Sequence, residues 1–154
     1  MPVTDSTARH FFTAPAYAVV GASSNTAKYG HKIFAWYLNH DLPVTPLNPA
    51  SPSVTVAGKD YATLPNVAAL PKPRETAVSI ITPPSVTLGV LKEAQKAGVP
   101  SVWLQPGTFD DEVIDFATAE GNFEAVVYGS GGRGSEGWCV LVDGEKAIKD
   151  AGKL

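Results

Sequence analysis

The stretch Ala16-Tyr-Ala-Val-Val-Gly-Ala-Ser-Ser-Asn-Thr-Ala-Lys-Tyr-Gly30 decides how the rest of the chain is read. An apolar run, Ala16 to Val20, breaks at Gly21-Ala22-Ser23, and a helical pattern begins near Lys28. A strand that enters a helix through small residues is the phosphate-binding corner of a nucleotide-type α/β domain. Small side chains let a phosphate approach backbone N–H groups, and the helix dipole favours its negative charge. The strand is apolar throughout, as expected when both faces of a parallel sheet are covered.

Upstream, residues 4–12 read as a short helix with Thr4 or Ser6 as cap, stopped by Thr13-Ala14-Pro15. Downstream, Ile33 with Tyr37 and Phe34 with Leu38 fall at i,i+4 spacing over residues 28–39, an amphipathic helix. Residues 43–47 form the next strand. A Pro-rich connection then runs from Asn48-Pro49 to Thr76, with a short strand around residues 54–56 and a helical turn over 67–70. Residues 77–81 and 101–104 are further strands, ending in Thr82-Pro83-Pro84 and Gln105-Pro106-Gly107. Between them lies a helix with Val86, Val90, Ala94 and Ala97 on one face, closed by Gly98 and Pro100.

Thr108 is read as the cap of the following helix, with Asp110, Asp111 and Glu112 in its positive first turn. Phe109, Val113 and Phe116 are its buried face, and Gly121 ends it. A last strand over 124–128 leads into a glycine-rich segment, 129–137, an apolar run over 138–142 and a closing helix over 145–151. Strands alternating with helices imply right-handed crossovers and a parallel sheet. The expected fold class is α/β: a Rossmann-like parallel sheet of about five strands, helices on both faces, three layers, one domain over residues 1–154.

Charge and composition narrow the partners. Twelve Lys and Arg against 15 Asp and Glu, with no basic cluster, argue against nucleic acid. One phosphorylated ligand needs only local donors. Cys139 is the only cysteine, which excludes an internal disulfide and a thiolate metal site. No His, Asp and Glu set has metal-ligand spacing, so no metal is expected. No apolar run approaches the roughly 20 residues of a membrane span, and the N-terminus lacks a signal-peptide core. The expected setting is cytoplasmic, with no membrane partner.

Four strand ends carry small or Pro-containing turns: Gly21-Ala22-Ser23, Asn48-Pro49, Thr82-Pro83-Pro84 and Gln105-Pro106-Gly107. A parallel sheet puts all of them on its carboxyl edge, where ligands bind. A dinucleotide fingerprint would place a second glycine at Ser23 and an acid at the end of the second strand, where Asn48-Pro49 stands. The residues therefore point to a phosphorylated ligand and disfavour NAD.

Together, Gly21-Ala-Ser23, Lys28-Tyr29-Gly30, Leu47-Asn48-Pro49, Tyr61-x-x-Leu64, Thr82-Pro83-Pro84 and Val102-Trp-Leu-Gln-Pro-Gly107 resemble the small stand-alone CoA-binding proteins. That family is similar to the CoA-binding domain of succinyl-CoA synthetase α subunits. The resemblance covers roughly residues 10–128 and implies a Rossmann-like domain that holds coenzyme A or an acyl-CoA at the carboxyl edge. By that resemblance Gly21, Ala22 and Ser23 approach the phosphates, and Lys28, with Tyr29 beside it, supplies charge. Asn48 and Pro49 line the nucleotide side, Thr82 and Pro83 flank the extended ligand, and Gln105 and Gly107 lie near the pantetheine end. Where the family usually closes its fifth strand with an Asp-Arg-Cys type sequence, this chain has Tyr128-Gly129 and the Gly-Gly-Arg-Gly run.

No catalytic residue is assigned, because Gly21-Ala-Ser-Ser-Asn lacks nucleophile-elbow spacing. His31 is read as a packing residue, and His10 and His40 as element-end residues without partners. Cys139 is read as buried and apolar, and Asp110, Asp111 and Glu112 as capping. Arg133 either closes over a phosphate or contacts a partner subunit. The preferred function is CoA or acyl-CoA binding without catalysis. The alternatives are an NAD(P)- or CoA-ester-dependent enzyme, alone or as a subunit of a larger complex, and a regulatory module that reports ligand to a protein partner.

Overall fold

A computed structural model describes residues 3–134 and 137–153; Ser135 and Glu136 of the glycine-rich segment lie outside the described residues. Thr4 caps α1 (Asp5–Phe11) in a reciprocal box with Thr7, and Phe11 and Phe12 carry its apolar end into the core. β1 (Ala16–Val20) leads through the small-residue turn to α2 (Tyr29–Asn39), which buries Ile33, Phe34 and Tyr37. β2 (Val44–Leu47) follows. Then come β3 (Ser53–Val56), β4 (Lys59–Ala62) and two short 3₁₀ turns. β5 (Thr76–Ile80), α3 (Pro84–Ala97), β6 (Ser101–Leu104), α4 (Asp111–Thr118), β7 (Ala125–Val127) and α5 (Val140–Asp150) complete the order.

The main sheet is parallel and five-stranded, ordered β2-β1-β5-β6-β7. From β1 the chain first moves to β2 on one side and later returns to β5 on the other. A right-handed crossover in each direction puts α2 on one face and α3 on the opposite face. The burial confirms it. Tyr17, Val19, Ala77, Trp103 and Val127 pack with α1, α2 and α5. Ala18, Val20, Val78, Ile80, Val102 and Leu104 pack with α3 and α4. This is the expected Rossmann-like, three-layer arrangement.

The first face is built from rings. Phe11, Phe12, Tyr17, Tyr37 and Trp103 pack at centroid distances of 5.0–6.2 Å, geometries worth about 0.5–1.5 kcal/mol per pair beyond area burial. Their polar atoms are matched. Tyr17 donates to the Phe12 carbonyl at 2.9 Å, and Tyr37 meets Ser79 Oγ at 2.6 Å. Burial pushes both tyrosine hydroxyls well above their usual range. It also pushes the Lys153 ammonium down, even as that group donates to Tyr17 Oη at 2.8 Å.

Four sequence expectations change. The second hairpin strand, β4, is added: Ala57 and Gly58, both at positive φ, turn β3 back onto it. On α3 the buried residues are Thr87, Leu91 and Ala94, one position on from Val86 and Val90. On α4 the cap is Asp110, which accepts from the Val113 N–H at 3.0 Å. Thr108 instead donates to the Gln105 carbonyl. Phe109 and Phe116 are half-buried, Ala117 joins Val113 inside, and the helix ends at Thr118, before Gly121. The closing helix starts at Val140, so most of the 138–142 run is its first turn.

Candidate functional site

The carboxyl ends of β1, β2 and β5 meet where the chain reverses direction across the sheet, the place at which open α/β sheets bind ligands. Gly21 leaves β1 at φ +95°, and a Cβ there would lie 2.5 Å from the Ile81 carbonyl oxygen. A Cβ on Gly30, in the first turn of α2, would overlap the Gly21 carbonyl oxygen. Gly30 lets helix and turn touch, and Gly21 lets the turn pass close to the Ile81 backbone; a side chain at either position would prevent its contact.

Four of the turn's acceptors are engaged. Asn48 Nδ2 donates to the Ala22 carbonyl at 3.0 Å. His31 Nδ1 lies 3.0 Å from the Ser23 carbonyl; a carbonyl only accepts, so that nitrogen carries the hydrogen. Ser23 Oγ accepts from the Asn25 N–H at 3.0 Å, and Ser24 Oγ from the Thr55 N–H at 2.9 Å. The backbone N–H groups of Ala22, Ser23 and Ser24 find no acceptor among the described residues. Successive N–H groups left open in a turn that leads into a helix offer donors to an anion.

Beside the turn lies a cleft of about 560 Å³, walled by Gly21, Asn48, Pro49, Thr82, Val86 and Gly89 among others. Four of the expected ligand residues thus come together. Val86, 48% exposed, and Val90 line this cleft, which is why they are absent from the core. A hollow of similar size, about 570 Å³, between α1 and the α4–β7 connection contains none of the expected residues.

The remaining expected residues sit around this centre. Ala22 is buried, while Ser23 is half-buried. Lys28 is the exposed N-cap of α2 and makes no side-chain capping bond, and Tyr29 follows it, 48% exposed. Pro83 caps α3, and Thr82 Oγ1 lies 2.7 Å from Thr87 Oγ1. Asn48 uses both ends of its carboxamide on the protein, since Ala50 N–H donates to Oδ1 at 2.8 Å. It positions the turn.

Gln105 lies elsewhere on the edge. It is 2% exposed, and its Oε1 accepts the Val140 N–H at 3.1 Å, capping α5. Gly107 is exposed at φ +86° and lines neither cleft. Sequence reasoning quotes Gly30 in the Lys28-Tyr29-Gly30 motif but gives it no role, since its need for a missing Cβ is visible only in the packing, and it passes over Asp143. The buried Asp143 carboxylate accepts from the Arg133 N–H at 2.8 Å and the Cys139 N–H at 3.0 Å, pinning the glycine-rich segment to α5.

The histidines differ from expectation too: exposed His10 pairs with Glu124 at 3.0 Å, and His40 Nδ1 meets the Trp36 carbonyl at 2.8 Å. Among the described residues, no group of three His, Cys, Asp or Glu could hold a metal, and no helix is long and apolar enough to cross a membrane.

A parallel sheet with an open-amide turn and an adjoining cleft at its reversal point defines a Rossmann-like protein of the phosphate-ligand-binding kind. Residues 15–128 match the family described as CoA binding domain, and the chain belongs to that family. It is similar to a conserved hypothetical protein from Pyrococcus furiosus, with 32% identity and TM-score 0.67, covering 83% of this chain and 97% of that one. A hypothetical protein from Pyrococcus horikoshii shares the fold at 24% identity and TM-score 0.75, covering 95% and 93% of the two chains. A Thermus thermophilus structure does so at 20% identity and TM-score 0.72, covering 94% and 99%. No curated protein matches the chain.

Proposed function

We propose that the chain binds coenzyme A or an acyl-CoA at the carboxyl edge of its sheet, without catalysis of its own, in the cytoplasm. The observation that carries this reading is the turn after β1. Its carbonyls are tied back by Asn48 and His31, and its N–H groups at Ala22, Ser23 and Ser24 stay open in a chain of the CoA-binding family. The CoA phosphates sit on those N–H groups, Lys28 adds charge from the N-cap of α2, and Tyr29 stands beside it. The nucleotide lies in the cleft between Asn48-Pro49 and Thr82. NAD is disfavoured because Asn48 is committed to Ala22 and Ala50 and offers no carboxylate to a ribose diol.

Calorimetric titration with CoA, NAD⁺ and ATP side by side tests the proposal. Selective CoA binding is expected, and Lys28→Ala should weaken it several-fold by removing a charge-assisted contact. Preferential NAD⁺ binding, or no binding of CoA, overturns the reading.

A further inference from the structure

The Gln105 carboxamide is locked. The Val140 N–H can only donate, so the atom facing it at 3.1 Å is Oε1 and the NH₂ group points the other way. That Nε2 is buried and meets no acceptor among the described residues. An unmatched buried donor is costly enough that its environment calls for a partner. Gln105 also lines a hollow of about 10 Å³ with Tyr29, Ile81, Pro106 and Cys139. That is room for one acceptor atom, about a water's worth, and too little for a phosphate. Tyr29 begins α2 and Ile81 packs on Gly21, so the hollow adjoins the phosphate turn.

Charge selects among acceptors. Asp143 already sits on the Cys139 N–H at the start of α5, so a second anion would face its carboxylate. A neutral carbonyl oxygen suits the hollow better. The CoA ligand class has carbonyls of two kinds, the pantetheine amides and, in acyl-CoA, the thioester. A thiol stands at the same spot: Cys139, the only one in the chain, is the N-cap of the 11-residue α5.

We propose that this hollow takes the thioester carbonyl of an acyl-CoA, with Gln105 Nε2 donating to its oxygen and Cys139 lying beside the acyl group. The proposal rests on the CoA reading above and sharpens it: the chain distinguishes acyl-CoA from CoA.

Two measurements test it. Calorimetry should show acetyl-CoA binding about tenfold more tightly than CoA, the worth of one hydrogen bond. In Gln105→Glu, which keeps the acceptor for Val140 but turns the donor into an acceptor, the ratio should fall to about one. A ratio near one in the unaltered protein, or one that persists in Gln105→Glu, overturns the proposal. The latter outcome would assign Gln105 to a pantetheine amide or to packing. CoA binding itself would stand in either case; a protein that binds neither ligand defeats the underlying reading as well.

The second measurement does not need the variant to fold. Bromoacetyl-CoA should alkylate Cys139 of the unaltered protein much faster than bromoacetamide does, and excess acetyl-CoA should protect. The sulfur displaces bromide, a thioether C–S bond replaces the C–Br bond, and bromide and the thiol proton leave. Mass spectrometry reads one adduct, absent in Cys139→Ser. Equal rates for the two reagents, or no protection, place the thiol away from the acyl group and overturn the proposal.

Discussion

A small-residue turn and a glycine-rich turn leave the same edge of the sheet, and they treat their backbone donors in opposite ways. After β1 the carbonyls of Ala22 and Ser23 are held by Asn48 and His31, while the N–H groups of Ala22, Ser23 and Ser24 stay open. After β7 the N–H groups of Arg133 and Cys139 go to the Asp143 carboxylate, and that of Trp138 to the Gly129 carbonyl at 2.8 Å. The second turn carries its own anion. Glycine content alone therefore does not make a phosphate site; what matters is whether the fold already supplies the negative charge. Arg133, a possible phosphate clamp by sequence, lines a hollow over α5 that shares no residue with the cleft at Gly21.

Breaking the first turn should have the largest effect. Gly30→Ala puts a methyl group onto the Gly21 carbonyl, and denaturant unfolding should show a loss of about 3 kcal/mol together with loss of CoA binding. A variant as stable as the parent would mean that helix and turn do not need this contact. Next, Asp143→Ala removes the internal anion of the second turn and should cost about 2 kcal/mol by leaving buried N–H groups unmatched. Inorganic phosphate should then raise its melting temperature more than the parent's. Equal responses to phosphate would mean that the carboxylate is not acting as a resident anion.

The smallest effect sharpens the role of the cleft. Gly89 lies mid-helix in α3 with nothing within 4 Å of where a Cβ would be, because it faces the cleft. Gly89→Ala should stabilise the fold by about 0.5–1 kcal/mol through helix propensity. It should also weaken CoA binding by narrowing the cleft, as titration and unfolding of the same sample would show. Unchanged affinity would remove this wall from the site.

The parallel sheet was legible because its strands are apolar runs cut off by small or Pro-containing turns. The phase of α3 was not. Val86 and Val90 carry the apolar pattern, but they wall a cleft while Thr87 and Leu91 go inside, and periodicity cannot separate a ligand wall from a core face. β4 escaped notice because Lys59, Asp60 and Ala62 are exposed and its turn is Ala-Gly, a weaker signal than Asn-Gly. At the site the small-residue turn stood out, but what orients it did not. Asn48 reaches Ala22 from 26 positions away, and such a pairing is fixed by strand order and not by any local motif. Likewise, the donor on Gln105 could be seen as unmatched only once Val140 had fixed which way its carboxamide points.

The most direct test of the contrast between the two turns is heteronuclear NMR of the backbone amides during titration with CoA. The amides of Ala22, Ser23 and Ser24 should move most, while those of Gly131, Gly132 and Arg133 stay near their starting positions. Large shifts at the second turn with none at the first would contradict the assignment of the phosphates to the turn after β1.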